Sequence, residues 1–220
     1  KITVISKKLG EGQFGKVYIV GYNKEGKKNA AKIIKNDVEL NGYKQMILLR
    51  EIVILYKMKH PAISQFYGIN FHTFDNPYNL ELTIITEYYS QGSLKSILKK
   101  EQDNFVDDNW TPTKKYFCLI GIADAMRYLH EYGIVHQDLK PENILIDENY
   151  YPHVCDFGLS KCFPKSLTKL IELSNSGKIG TLVYMAPEIM KEEHSESFSD
   201  VYSFTILAYE ILMKMLKKTK

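Results

Sequence analysis

The chain has 220 residues, 45% hydrophobic and 25% charged, enough to bury a sizeable core in one domain or two small ones. Its 29 basic and 26 acidic residues leave a net charge of +3, too balanced for nucleic acid or a membrane surface to be the main partner. No apolar run is long enough to span a membrane, and no charged start followed by an apolar core marks a secretory signal. Cys118, Cys155 and Cys162 have no metal-ligand spacing and read as reduced thiols of a cytoplasmic protein. The chain opens on Lys1, so it reads as a piece of a longer product; Arg50 and Arg127 are its only arginines.

Residues 2 to 34 read as strands. Ile2, Val4 and Ile5 precede a glycine-rich turn, Val17 to Val20 follow it, and Asn23 to Gly26 turn the chain into Ala30 to Ile34. From Tyr43 to Lys59 the pattern becomes helical, with Leu48, Ile52 and Leu55 at helical spacing and His60-Pro61 as the stop. Two further strands are expected at Gln65 to Phe71 and Leu82 to Tyr88, with a turn around Pro77. Beyond Tyr89 the expectation is helical: a short helix near Ser93 to Lys99, a longer one from Thr113 to Glu131, and a third from Ser199 to Met215. Pro112 at its start and Gly133 past its end frame the second of these. There are no repeats and no low-complexity linkers.

Gly10-Glu11-Gly12-Gln13-Phe14-Gly15 is a G-x-G-x-x-G run with several readings. A dinucleotide fold needs a helix next, whereas Val17 to Val20 is strand-like. A P-loop needs a hydroxyl where Val17 stands. A strand-loop-strand nucleotide clamp fits, and so does a plain glycine hairpin. Lys32, on a strand expected to be buried, needs a partner because a lone buried ammonium is costly. Glu51, one helical turn before Leu55, is the candidate, although a solvated helix face is also open to it. The run Ile134 to Asn143 then sets His136, Asp138, Lys140 and Asn143 within eight residues, and Asp156-Phe157-Gly158 follows. That grouping supplies a candidate base, a cation and two oxygen ligands for a hard metal, as phosphoryl transfer from Mg-ATP requires.

I-V-H-Q-D-L-K-P-E-N and D-F-G closely resemble the catalytic and metal-binding loops of eukaryotic protein kinases, and Ala30-Ala31-Lys32 stands where that family has V-A-I-K. The resemblance covers essentially the whole chain. It implies an α+β, bilobal fold: a small antiparallel sheet lobe with one helix (1–87) and a mostly helical lobe (88–220). It implies Asp138 as base or hydroxyl-orienting group, Lys140 beside the γ-phosphate, and Asn143 and Asp156 on Mg²⁺. The Lys32–Glu51 pair would hold the α- and β-phosphates of ATP. Leu9, Gly10, Glu11, Gly12, Gln13, Phe14, Gly15 and Lys16 would cover the nucleotide. Val17, Ala30 and Leu145 would sandwich the adenine, Thr86 would guard the pocket behind it, and Glu87 and Tyr89 would offer backbone groups to the base. Leu55, Phe66, His136 and Phe157 would stack through the core. The 180–188 segment, G-T-L-V-Y-M-A-P-E, would receive a protein substrate, and Asp200 would brace the catalytic loop or simply cap its helix.

Asp-Leu-Lys-Pro-Glu-Asn and Gly180-Thr181 resemble serine/threonine kinases, while T-E-Y-Y-S-Q-G-S-L and S-D-V-Y-S-F resemble the tyrosine-kinase-like group. Two features depart from the family pattern. Gln137 replaces the usual arginine and cannot form a bidentate charged pair with phosphate, so less dependence on phosphorylation at Ser166, Thr168, Ser174 or Ser176 is expected. Family domains also continue with further helices, so the helix through Val201 to Leu216 is expected to expose apolar surface, and Glu188 to lack its arginine. A pseudokinase-like scaffold is the rival reading, and a small-molecule kinase a third. His60, His72, His130, His153 and His194 form no metal-ligand pattern and read as structural or surface residues.

Overall fold

The structure, a computed structural model, describes residues 2–11, 15–22, 27–34, 42–72, 80–162, 182–187 and 198–217. The chain folds as two compact units, residues 1–45 with 64–88, and residues 46–63 with 89–220.

The first unit is a five-stranded antiparallel sheet of β1 (Ile2–Glu11), β2 (Gly15–Tyr22), β3 (Lys27–Ile34), β4 (Phe66–His72) and β5 (Leu80–Glu87), in the order β1-β2-β3-β5-β4. β-Branched residues fill these strands, as the pleat favours. Directly opposed residues share a face of a sheet. Gly10 pairs with Val17, Val17 with Lys32, and Ala30 with Thr86. Because Ala30 and Lys32 are two apart, the register gathers Gly10, Val17, Ala30, Lys32 and Thr86 on one face. Ala31 and Thr83, on the other face, are fully buried.

The second unit holds most of α1 (Gly42–Lys57), then β6 (Gly92–Ser93), α2 (Leu94–Gln102), α3 (Pro112–Glu131), β7 (Ile134–Val135), β8 (Ile144–Ile146), β9 (Pro152–Val154), β10 (Lys161–Cys162) and α4 (Phe198–Lys217). Ser93 caps α2 by accepting from Ser96 N, and Thr111 caps α3 by accepting from Lys114 N, with Pro112 in the first turn. Ile122, Leu129, Ile134, Leu139, Ile144 and Leu207 are fully buried and form its centre. A Cβ at Gly121 would come within 2.7 Å of Pro152, so α3 approaches β9 closely there. The two- and three-residue strands were not expected from sequence. On α4, Phe198, Val201, Tyr202 and Tyr209 are exposed along one stripe. Among the described residues no helix is long and apolar enough to cross a membrane. The three cysteines are free thiols, and burial pushes Cys118 up to about 12.

One ionic cluster lies inside this unit. Lys115 Nζ donates to Glu101 Oε1 at 2.7 Å, Trp110 Nε1 donates to Glu101 Oε2 at 3.3 Å, and both charged side chains are 3% exposed. Breaking such a pair strands a buried charge. Lys115→Met is therefore expected to cost about 3–5 kcal/mol in urea unfolding, while Lys115→Met with Glu101→Leu recovers most of that loss.

Candidate active site

The segment from Ile134 to Asn143 is fixed from several sides. At its start, Ile134 and Val135 pair with Cys162 and Lys161. The chain then turns sharply: Gln137 has a φ of 66°, a left-handed conformation that costs a non-glycine residue about 1–3 kcal/mol. Asp200, in the first turn of α4 and 1% exposed, compensates. Its Oδ2 accepts from His136 N at 2.8 Å, and its Oδ1 accepts from Gln137 N at 2.9 Å. His130 Nε2, in the last turn of α3, lies 2.9 Å from Oδ2. A carboxylate can only accept, so His130 carries its proton on Nε2.

His136 is fully buried, and its tautomer follows from its neighbours. Nδ1 accepts from Asp138 N at 3.3 Å, so Nε2 bears the hydrogen and donates to Cys155 O at 3.1 Å. The ring stands 5.2 Å from that of the fully buried Phe157. Two of the four residues expected to stack through the core are thus in contact, and Leu55 is buried in the same unit.

Asp138 is almost buried, and two donors meet its Oδ2: Lys140 Nζ at 2.6 Å and Asn143 Nδ2 at 2.9 Å. Asn143 Nδ2 also donates to Asp138 O at 2.8 Å. Both bonds use the amide nitrogen, so the oxygen is what Asn143 can offer to a cation. Asn143 O accepts from Cys155 N at 2.9 Å, which ties this loop to the strand leading into Asp156. Asp156 is exposed and has a φ of 64°. A Cβ at Gly158 would come within 2.8 Å of Ile47, and Arg50 Nη1 donates to Gly158 O at 3.5 Å, so α1 lies directly against this segment.

Of the other expected site residues, Lys32 is on β3 in the first unit, and Glu51, 5% exposed, is on α1 in the second. Leu9, Gly10, Glu11 and Lys16 are exposed at the β1–β2 end, while Gly12, Gln13 and Phe14 lie outside the described residues. Gly15 is sterically required, because a Cβ there would sit 2.2 Å from Ile33 O. Glu87 N donates to Gln65 O, and Tyr89 O accepts from Gly92 N. Leu145 lies on β8. In the 180–188 segment, Tyr184 OH donates to Glu210 Oε1 at 2.6 Å, and Ser203 Oγ donates to Tyr184 O at 2.7 Å. Burial and then Glu210 push the Tyr184 hydroxyl well above its ordinary range. Gly180, Thr181, Glu188, Ser166, Thr168, Ser174 and Ser176 lie outside the described residues.

Among the described residues no three His, Cys, Asp or Glu side chains form a metal cage. An amide oxygen and a carboxylate suit a hard cation that completes its shell with phosphate oxygens and water, as Mg²⁺ does. His130 is the contact that sequence reasoning missed: it is seventy residues from Asp200, and no local spacing links the two.

Residues 3–218 match the protein kinase domain family. The chain is 34% identical over 209 residues to serine/threonine-protein kinase CTR1 of Arabidopsis thaliana, covering 94% of this chain and 23% of that protein. It is 33% identical over 210 residues to dual specificity protein kinase shkB of Dictyostelium discoideum, covering 94% and 29%. It is 32% identical over 208 residues to an Aurora kinase of Yarrowia lipolytica, covering 94% and 51%. The chain thus spans less than two thirds of each relative's length.

Asp200→Ala would leave the amides of His136 and Gln137 buried without an acceptor, at about 1–3 kcal/mol each. A drop of that total in urea unfolding is expected. Asp200→Asn, which keeps one acceptor, should lose roughly half as much.

Proposed function

The chain belongs to the protein kinase family, and from that premise we propose that it transfers the γ-phosphate of ATP to serine and threonine hydroxyls of protein substrates. The setting we propose is cytoplasmic signalling, with residues 1–87 as the small lobe and 88–220 as the large lobe of the fold. The observation that carries this reading is the convergence of Lys140 and Asn143 on the Asp138 carboxylate, on a loop fixed by Asp200.

In this reading Asp138 orients the substrate hydroxyl and takes up its proton as the phosphoryl group departs from ATP. Lys140, already within 2.6 Å of Asp138, offsets the charge that develops on the transferring phosphoryl oxygens. Asn143 and Asp156 would hold Mg²⁺, which when bound neutralises phosphate charge. Lys32, oriented by Glu51, would hold the α- and β-phosphates beneath the 9–16 turn. Val17 and Ala30, which share a sheet face with Lys32 and Thr86, would meet the adenine with Leu145. Glu87 and Tyr89 would bind the edge of the base. The 182–184 turn, anchored on Ser203 and Glu210, supports a substrate platform beside the loop. The exposed apolar stripe on α4 favours, as a second reading, a scaffold that binds partners without turnover.

Labelled γ-phosphate transfer to a basic protein substrate separates the two. Asp138→Asn is expected to lower kcat by about 10²–10⁴-fold with ATP affinity kept, and phosphoamino-acid analysis to return serine and threonine. ATP binding without transfer by the unaltered chain would support the scaffold. Because Gln137 offers no charged fork to a phosphate, phosphatase treatment is expected to lower the rate less than it would in a kinase with the arginine. Abolition of activity by phosphatase would refute that reduced dependence.

A further inference from the structure

His153, on β9, packs against Tyr89 within the second unit. Tyr89 opens the second stretch of unit two, residues 89–220, and its ring stacks on the imidazole of His153, with centroids 4.1 Å apart and planes at 25°. Tyr89 is 5% exposed. His153 is itself held on two further sides. Its Nε2 is 3.3 Å from Asp147 Oδ2, and the Tyr151 ring meets it edge-on at 6.0 Å. Asp147 is a rigid anchor, because its Oδ1 accepts from Asn149 N at 2.9 Å and Tyr151 N at 2.8 Å within the β8–β9 hairpin.

The same imidazole adjoins a second residue. His153 stands directly opposite Leu145 in the β8–β9 ladder, so the two share a face of that sheet. Ser93 pairs with Leu145 on its other side, and Gln91 N donates to Ile146 O at 3.2 Å, so residues 89–93 run along this small sheet. Tyr89 and Leu145 are two of the residues assigned above to the adenine. They come from distant parts of the chain, and the His153 side chain adjoins both.

We propose that His153 is a positioning residue for the nucleotide base: its stack on Tyr89 and its place beside Leu145 set the geometry of the adenine subsite. The proposal rests on the kinase reading, because it needs Tyr89 and Leu145 to meet the base. The stack, rather than the bond to Asp147, is the part that touches Tyr89. A planar ring at 153 should therefore suffice.

The test measures ATP affinity by displacement of a fluorescent nucleotide, with KM and kcat, in the unaltered chain, His153→Leu and His153→Phe. A thermal unfolding curve accompanies each protein. Loss of a ring stack predicts ATP binding about two- to ten-fold weaker in His153→Leu, with KM rising more than kcat falls. His153→Phe should restore the affinity to within about two-fold. Equal affinity in His153→Leu and the unaltered chain would overturn the proposal while leaving the kinase reading in place. So would a loss that tracks the unfolding temperature in both variants. Failure of the unaltered chain to bind ATP would instead overturn the kinase reading and this proposal together.

Discussion

A single buried carboxylate sets the geometry on which the proposed chemistry depends. Taking Asp200 out of water costs several kcal/mol unless its oxygens are satisfied, and satisfying them dictates where three donors must be. Two are consecutive amides, of His136 and Gln137, and they can converge on one carboxylate only because Gln137 adopts a left-handed backbone. Hydrogen bonds to a charged group are worth about 1.5–3 kcal/mol each, enough to offset both the burial and the strain. Once those amides are fixed, His136 has one orientation, its Nδ1 receives the Asp138 amide, and Asp138 faces Lys140 and Asn143. The groups proposed to react lie at the end of a chain of constraints that starts on α4.

A second chain of constraints reaches the same place from the other side. Asn143 O receives Cys155 N, and His136 Nε2 donates to Cys155 O, so both peptide groups of the residue before Asp156 are tied to the 134–143 loop. Asp156 then takes its own left-handed conformation, and Phe157 drops into the core against His136. The two proposed metal ligands, thirteen residues apart in sequence, are thereby held by one hydrogen-bonded unit. No flexible side chain intervenes between them.

The proposed site was legible in sequence because it is local: His136 to Asn143 and Asp156 to Gly158 stand at fixed spacing. The long strands and helices were legible too, because seven or more residues show a period. Strands of two or three residues cannot, and β6 to β10 went unread. The buried pair had no sequence signal, because only the fold brings Glu101 and Trp110 round Lys115. His130 and His153 were passed over for the same reason: their partners are remote in sequence, or aromatic, and neither makes a pattern. The shared face of Val17, Ala30, Lys32 and Thr86 follows from strand register, which three separate strands settle only together.

Gln137 has a physical logic in this setting. Val135, two residues before it, pairs with Lys161, and burial together with the nearby Arg50 charge holds Lys161 below its ordinary range. Two cations therefore already lie close to this part of the loop. An arginine at 137 would add a third positive charge to a partly buried segment, where like charges repel. A neutral glutamine keeps the backbone bond to Asp200, which uses only the amide, and removes that repulsion. The bonds of His136 N and Gln137 N to Asp200 then hold the loop's backbone with no added charge at position 137.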